Sequence, residues 1–290
     1  MIRLDLGAEP QELKSSRDEN LPLAIAAFNL HGTNKKAFTQ LLDSGYQIAR
    51  TTLRDRQHGK CAFCEKSEDA FKRPVEHFRP KKSAQDKVGN RWTTVKSHYW
   101  WMTWSWSNLY FACDRCNMSG RKGSRFPIEP GSVRIPAPSR PHPQQTIPNA
   151  FYATQQERRL LVDPRVDNPL EHIQWIPVDR RKPKGNWTWT LEGRDAKGEM
   201  TIDVLKLVER VDEVNRHLKG LLFLWLEIDD HLAEGRSQPA LRAWNRLLGN
   251  YIDDPAQPFR NAAWWALDSL CSVQEQRVHG LPHPTIPEVR

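Results

Sequence analysis

Apolar positions recur at helical spacing between Asn34 and about Gln57, where Ala37, Phe38, Leu41, Leu42, Tyr46, Ile48 and Ala49 predict one helix. The stretch 127–148 breaks that regularity with seven prolines in 22 residues and predicts an extended linker or surface loop. Beyond it, RLLVDP (159–164), IQWIPV (173–178), WTWTLEG (187–193) and EMTIDVL (199–205) predict short strands separated by polar turns. From Leu205 onward the pattern turns helical, over about 206–233, 238–252 and 256–276, with Pro255 near a helix start. The chain thus divides into a helical lead-in (1–60), a chemically distinctive segment (61–126), the proline-rich loop (127–148), a small β-rich segment (149–205) and a C-terminal helical region (206–290). The fold class expected is α+β.

Composition narrows this picture. Of 290 residues, 38% are apolar and 27% charged, which fits a soluble globular protein and excludes a disordered chain. The 12 tryptophans supply burial that the modest aliphatic content leaves short. A net charge of +8 favours polyanionic partners by long-range attraction, as support for a site argument and not as one by itself. No window approaches 18 uninterrupted apolar residues, and MIRLDLGAEP has no apolar run of the length a secretory leader needs. The expected compartment is the cytoplasm, where disulfides are rare and spaced cysteines point to metal or catalysis.

Four of the five cysteines form two Cys-x-x-Cys pairs, Cys61/Cys64 in CAFC and Cys113/Cys116 in CDRC. Two intervening residues let both sulfurs of a turn meet one ion, and two such turns complete a closed tetrahedral zinc site of the structural kind. A redox dithiol would leave the second pair unexplained. The long segment between the pairs implies that zinc staples the ends of an inserted module. Cys271, within NAAWWALDSLCSV, reads as a core residue.

Between the pairs lie Glu76 and His77 in VEHFRPKK, the aromatic run HYWWMTWSW (98–106) and Asn108, and directly after Cys116 comes Asn117 with SGRKGSRFP behind it. This order over 61–126 resembles the HNH endonucleases of the ββα-metal type, in the subgroup bracketed by a zinc-binding cysteine quartet. The resemblance implies a zinc-stapled ββα-metal module within a mostly helical chain. It also implies hydrolysis of phosphodiester bonds, with His77 as general base and Asn108 bracing its loop. Glu76 and Asn117 would be ligands of a catalytic Mg²⁺ or Mn²⁺. The chemistry asks for those types: an imidazole titrates near neutrality, and carboxylate and amide oxygens suit a hard ion. Glu76 stands where many relatives carry Asp, and Asn117 where many carry His, which should lower affinity for softer metals. Adjacent strand residues point to opposite faces, so Glu76 and His77 can serve one site only where a strand bends or ends, and Pro74 and Pro80 flank them.

Arg79, Lys81, Lys82, Arg121, Lys122 and Arg125 are expected to face phosphates, while the tryptophan run is expected to pack and not to stack on bases. The segments VEHFRPK, YWWMTWSWSNLYFACDRCN, KGSRFP and LLVDPRVDNPLEHIQW further resemble the HNH proteins of bacterial anti-phage systems, namely Septu and retron-associated relatives. That resemblance implies a nuclease acting with an ATPase partner of the PtuA kind and, in retron versions, with a reverse transcriptase and its msDNA. DNA and RNA substrates are both compatible. A zinc deaminase would need His-x-Glu and Pro-Cys-x-x-Cys, and the sequence has neither, since Ala112 precedes Cys113. A catalytically silent, zinc-stabilised binding or scaffold module stays open as the alternative. Asp163, Asp167 and His172 could extend the site, and turn chemistry around Pro164 and Pro169 accounts for them equally well.

Overall fold

The computed structural model describes residues 1–33, 36–68, 74–96, 99–143 and 157–289. His98, residues 144–148 of the proline-rich stretch and residues 149–156 of the β-rich segment lie outside these. In chain order the elements are β1 (Arg3–Leu4), α1 (Gln11–His31), α2 (Lys36–Leu41), α3 (Arg50–Arg56), β2 (Val75–His77), β3 (Ser83–Val88) and β4 (Arg91–Lys96). There follow β5 (Leu109–Phe111), α4 (Asp114–Asn117), α5 (Pro169–His172), β6 (Ile173–Pro177), β7 (Trp189–Gly193), α6 (Ala196–Leu205), α7 (Val211–Ala233), α8 (Ser237–Leu248), α9 (Arg260–Leu270), α10 (Val273–Val278) and β8 (Glu288–Val289). Helices dominate, and the strands pair only two by two: β1 with β8 in parallel, and β2 with β5, β3 with β4 and β6 with β7 antiparallel. Among the described residues no helix is long and apolar enough to cross a membrane.

Two compact units emerge, one of residues 6–56 and 68–163, the other of 1–5, 57–67 and 164–290. In the first unit, Phe28 and Phe38 pack on Trp100 with ring centroids 4.8 and 5.3 Å away, and Trp100, Trp101 and Trp104 are fully buried. The tryptophan run is therefore packing. The single helix expected over 34–57 is interrupted: α2 ends at Leu41, a turn at Gly45 (φ 83°) follows, and a 3-10 segment leads into α3. A side chain at Gly45 would collide with Ser16 Oγ at 2.6 Å and Asn20 Nδ2 at 2.8 Å, so only glycine allows the chain to pass so close to α1. The helix α1 carries Pro22 and only a sparse apolar face.

In the second unit β6 and β7 form the hairpin that alternation predicts, with Trp175 opposite Leu191 and Ile173 opposite Gly193. EMTIDVL, expected as a strand, is the body of α6 instead. Asp195 caps that helix by accepting from Gly198 N at 2.7 Å, and residues Thr201, Val204 and Leu205 fall on one buried face, so the i, i+3, i+4 spacing prevails over alternation. RLLVDP is no strand either, apart from a single bridge between Arg159 and Ile128 in the first unit. The region 206–233 begins with a left-handed Lys206 and a 3-10 turn before α7, and the last predicted helix is two, starting only at Arg260 and parted by Cys271 and Ser272. The core of this unit is α7 against α8, with Trp225 and Trp244 edge to face at 6.2 Å. Cys271 is buried.

Candidate active site

The site is built on the β2–β5 hairpin of the first unit. Val75 pairs with Phe111, Glu76 with Tyr110 and His77 with Leu109, so His77 is the last residue of its strand. One further bond, Phe78 N to Asn108 O at 2.9 Å, closes the ladder. The Asn108 side chain then ties the exit of β2 to the loop before β5. Its Oδ1 accepts from Arg79 N at 2.7 Å, and its Nδ2 donates to Arg79 O at 3.0 Å and Met102 O at 3.2 Å. All three bonds go to backbone, so the amide fixes the loop conformation while its own side chain is buried.

His77 is 5% exposed, and its Nε2 lies 2.9 Å from Thr103 O. A carbonyl can only accept, so Nε2 carries the proton and Nδ1 keeps a lone pair. The Tyr46 ring stands edge-on to the imidazole, centroids 4.5 Å apart. Burial, reinforced by the Lys81 charge, pulls the His77 pKa down to about 3 and keeps the ring neutral.

Glu76, also buried, has a different partner. Its Oε1 lies 3.3 Å from the ammonium of Lys122, which donates as well to His77 O at 3.1 Å. Burial raises the Glu76 pKa to about 7 against the opposing pull of Lys122, and burial lowers that of Lys122 against the pull of Glu76. The side chains of Glu76 and His77 thus leave the strand end toward separate hydrogen-bond partners, as alternation requires. Asn117 ends α4, half-buried. The Glu76 carboxylate already holds one positive charge, the Lys122 ammonium.

Two of the six cations expected at the surface are inside. Arg79 is 6% exposed, with Nε 2.9 Å from Glu157 and its guanidinium over the Phe126 ring at 5.3 Å, and Lys122 is 1% exposed. The others lie further out. Lys81 donates to Leu42 O at 2.6 Å, Asp43 at 2.9 Å and Tyr46 Oη at 2.9 Å, and the exposed Lys82 meets the same Asp43 at 2.6 Å. Arg121 is half-buried, and so is Arg125, which lies over Trp92 at 4.5 Å.

Several residues of the site carried no sequence signal. Thr103 acts through its carbonyl, which any residue supplies. Tyr46 reads as one apolar position of a helix, and Glu157 meets Arg79 across 78 residues. Glu157 accepts also from Tyr99 Oη and from Ile135 N at 3.0 Å. Asp163 takes the Tyr110 hydroxyl and so holds β5 from behind. In the other unit, Asp167 pairs with Lys197 and His172 with Asp195.

The two cysteine pairs are each shaped by a tight turn. Cys61 O accepts from Glu65 N at 3.0 Å and Cys61 N donates to Lys66 O at 2.9 Å, while Cys113 Sγ accepts from Cys116 N at 3.4 Å. All four are buried, their sulfurs lie within 4.8 Å of one another, and they could hold a zinc ion.

With this geometry in place, similarity to known proteins becomes informative. The chain is similar to Septu protein PtuB. It is 28% identical over 216 residues to the protein of that name from Bacillus mycoides (strain KBAB4), covering 72% of this chain and 64% of the relative. Against Septu protein PtuB of Bacillus thuringiensis it is 26% identical over 165 residues, covering 56% of this chain and 42% of the relative. The matches therefore span roughly half of these curated relatives' length. No family model matches the chain. No solved structure matches it.

Proposed function

We propose that this chain is a metal-dependent endonuclease of the HNH type, a component of a Septu-like anti-phage system that works with a PtuA-like ATPase. The observation that carries the reading is the state of His77: a neutral imidazole at a strand end, with Nε2–H committed to Thr103 O and Nδ1 left as the basic atom. A water at Nδ1 would give up its proton as it attacks a phosphorus, and Thr103 O would stabilise the imidazolium through the Nε2–H bond. The negative charge of a bound phosphodiester would raise the depressed His77 pKa toward the working range. Asn108 keeps the loop, and with it the imidazole, in register. A divalent cation at Glu76 and Asn117 would supply charge neutralisation for the phosphate and the leaving oxygen. Zinc in the cysteine quartet is the proposed staple. Lys81, Lys82, Arg121 and Arg125 are the proposed phosphate contacts, and DNA and RNA both satisfy this chemistry. In the retron-like version of the reading, a reverse transcriptase and its msDNA join the assembly.

The second reading, a silent zinc-stabilised binding or scaffold module, draws on one observation: Lys122 sits on the carboxylate that a metal would use. Cleavage of supercoiled DNA, single-stranded DNA and total tRNA distinguishes the two, with Mg²⁺, Mn²⁺ or EDTA and with or without the ATPase. For the nuclease, His77→Ala cuts the rate by about 10²–10⁴-fold, while zinc content and circular dichroism stay unchanged. No cutting by folded, zinc-loaded protein under any condition selects the silent module.

A further inference from the structure

Lys122 is an unusual occupant of such a site. Its ammonium is 1% exposed and held by two acceptors, Glu76 Oε1 at 3.3 Å and His77 O at 3.1 Å. The residue follows α4 by five positions, in a loop whose backbone is anchored by Lys122 N to Cys116 O at 3.2 Å and Arg125 N to Lys122 O at 2.6 Å. The preceding Met118, Ser119 and Gly120 are exposed, and Gly120 (φ 84°) and Gly123 (φ 34°) flank the lysine in left-handed backbone conformations that glycine tolerates. An ammonium on one oxygen of a buried carboxylate weakens its hold on a divalent cation, because the two positive charges repel where water screens them little.

We propose that Lys122 is a displaceable counter-cation, a positioning residue that competes with the divalent ion for Glu76 and so keeps the site closed until it withdraws. It rests on the reading of Glu76 as a metal ligand. In the absence of the ion, Lys122 neutralises a charge that burial would otherwise leave uncompensated.

The test is Mn²⁺ binding to the full-length, zinc-loaded chain, read by electron paramagnetic resonance of free Mn²⁺, for wild type, Lys122→Gln, Lys122→Arg and Glu76→Gln. Lys122→Gln should bind about tenfold more tightly, since the competing charge is gone, whereas Lys122→Arg should stay close to wild type. Glu76→Gln should bind more weakly than either. Unchanged or weaker binding by Lys122→Gln, with Glu76→Gln impaired, overturns the competition and leaves the metal reading intact. Equal binding by Glu76→Gln and wild type overturns both. A second measurement needs no variant: acetylation of Lys122 in the wild-type chain, followed by mass spectrometry. Protection without Mg²⁺ and reactivity with it support displacement, and equal protection at saturating Mg²⁺ overturns it.

Discussion

The β2–β5 hairpin and the α7–α9 region bury different kinds of side chain. Around the β2–β5 hairpin, Glu76, His77, Arg79, Thr103, Ser105, Asn108, Lys122, Glu157 and Asp163 are all buried; Arg79 pairs with Glu157, Lys122 with Glu76, and Asp163 takes the Tyr110 hydroxyl. Across α7, α8 and α9 the interior is Val214, Leu218, Leu221, Trp225, Ile228, Trp244, Leu247, Ala263 and Leu267, and between 211 and 278 only Arg260, Asn261 and Gln276 are polar and buried among the described residues. A helical core of that kind gains from every apolar contact. A core of paired charges gains little net stability, because desolvation offsets most of the attraction. Such a core persists where groups of defined charge and direction are required, and strained electrostatics concentrate at working sites.

The largest effect on stability should come from Glu157→Ala. Removing this carboxylate takes an acceptor from the Arg79 guanidinium, Tyr99 Oη and Ile135 N at once. The expected loss is about 3–5 kcal/mol in urea unfolding. A loss below about 1 kcal/mol would mean that water replaces the partner and that the pairing is dispensable. Leu218→Ala, in the apolar core of α7, should cost roughly 2–4 kcal/mol through lost burial and a cavity. Here the contrast sharpens: Leu218→Ala should leave cleavage per folded molecule unchanged, and Glu157→Ala should lower it, because Arg79 carries the backbone groups that Asn108 grips.

The same contrast governs what was legible in the sequence. Where apolar periodicity decides structure, the pattern and the fold agree closely in the β6–β7 hairpin, and α7 ends where expected but starts five residues late, at Val211. EMTIDVL failed because a seven-residue run satisfies both alternation and helical spacing, and only the Asp195 cap breaks the tie. The cysteine turns were legible because metal geometry dictates their spacing. Arg79 and Lys122 were misplaced because a cation in a basic cluster looks solvent-facing, and the carboxylates that draw them inward lie 78 and 46 residues away. Chemistry-bearing types can be recognised locally, but their partners are a property of the folded chain.

Lys82→Ala should have the smallest effect and marks the boundary of the comparison. Lys82 is exposed, and its partner Asp43 is exposed too and keeps Lys81 at 2.9 Å when Lys82 is gone. Solvent screening and side-chain entropy leave such a pair worth at most about 0.5–1 kcal/mol, so the unfolding midpoint should barely move. Its contribution should appear in binding instead. If Lys82 meets a phosphate, its removal lowers the slope of log affinity against log salt by about 1, evenly across sequences. Unchanged slope in fluorescence anisotropy with a labelled oligonucleotide would remove Lys82 from the interface. A stability loss as large as that of Glu157→Ala would show that cations outside the hairpin are structural too, and that the division between the paired interior and the solvated rim is wrong.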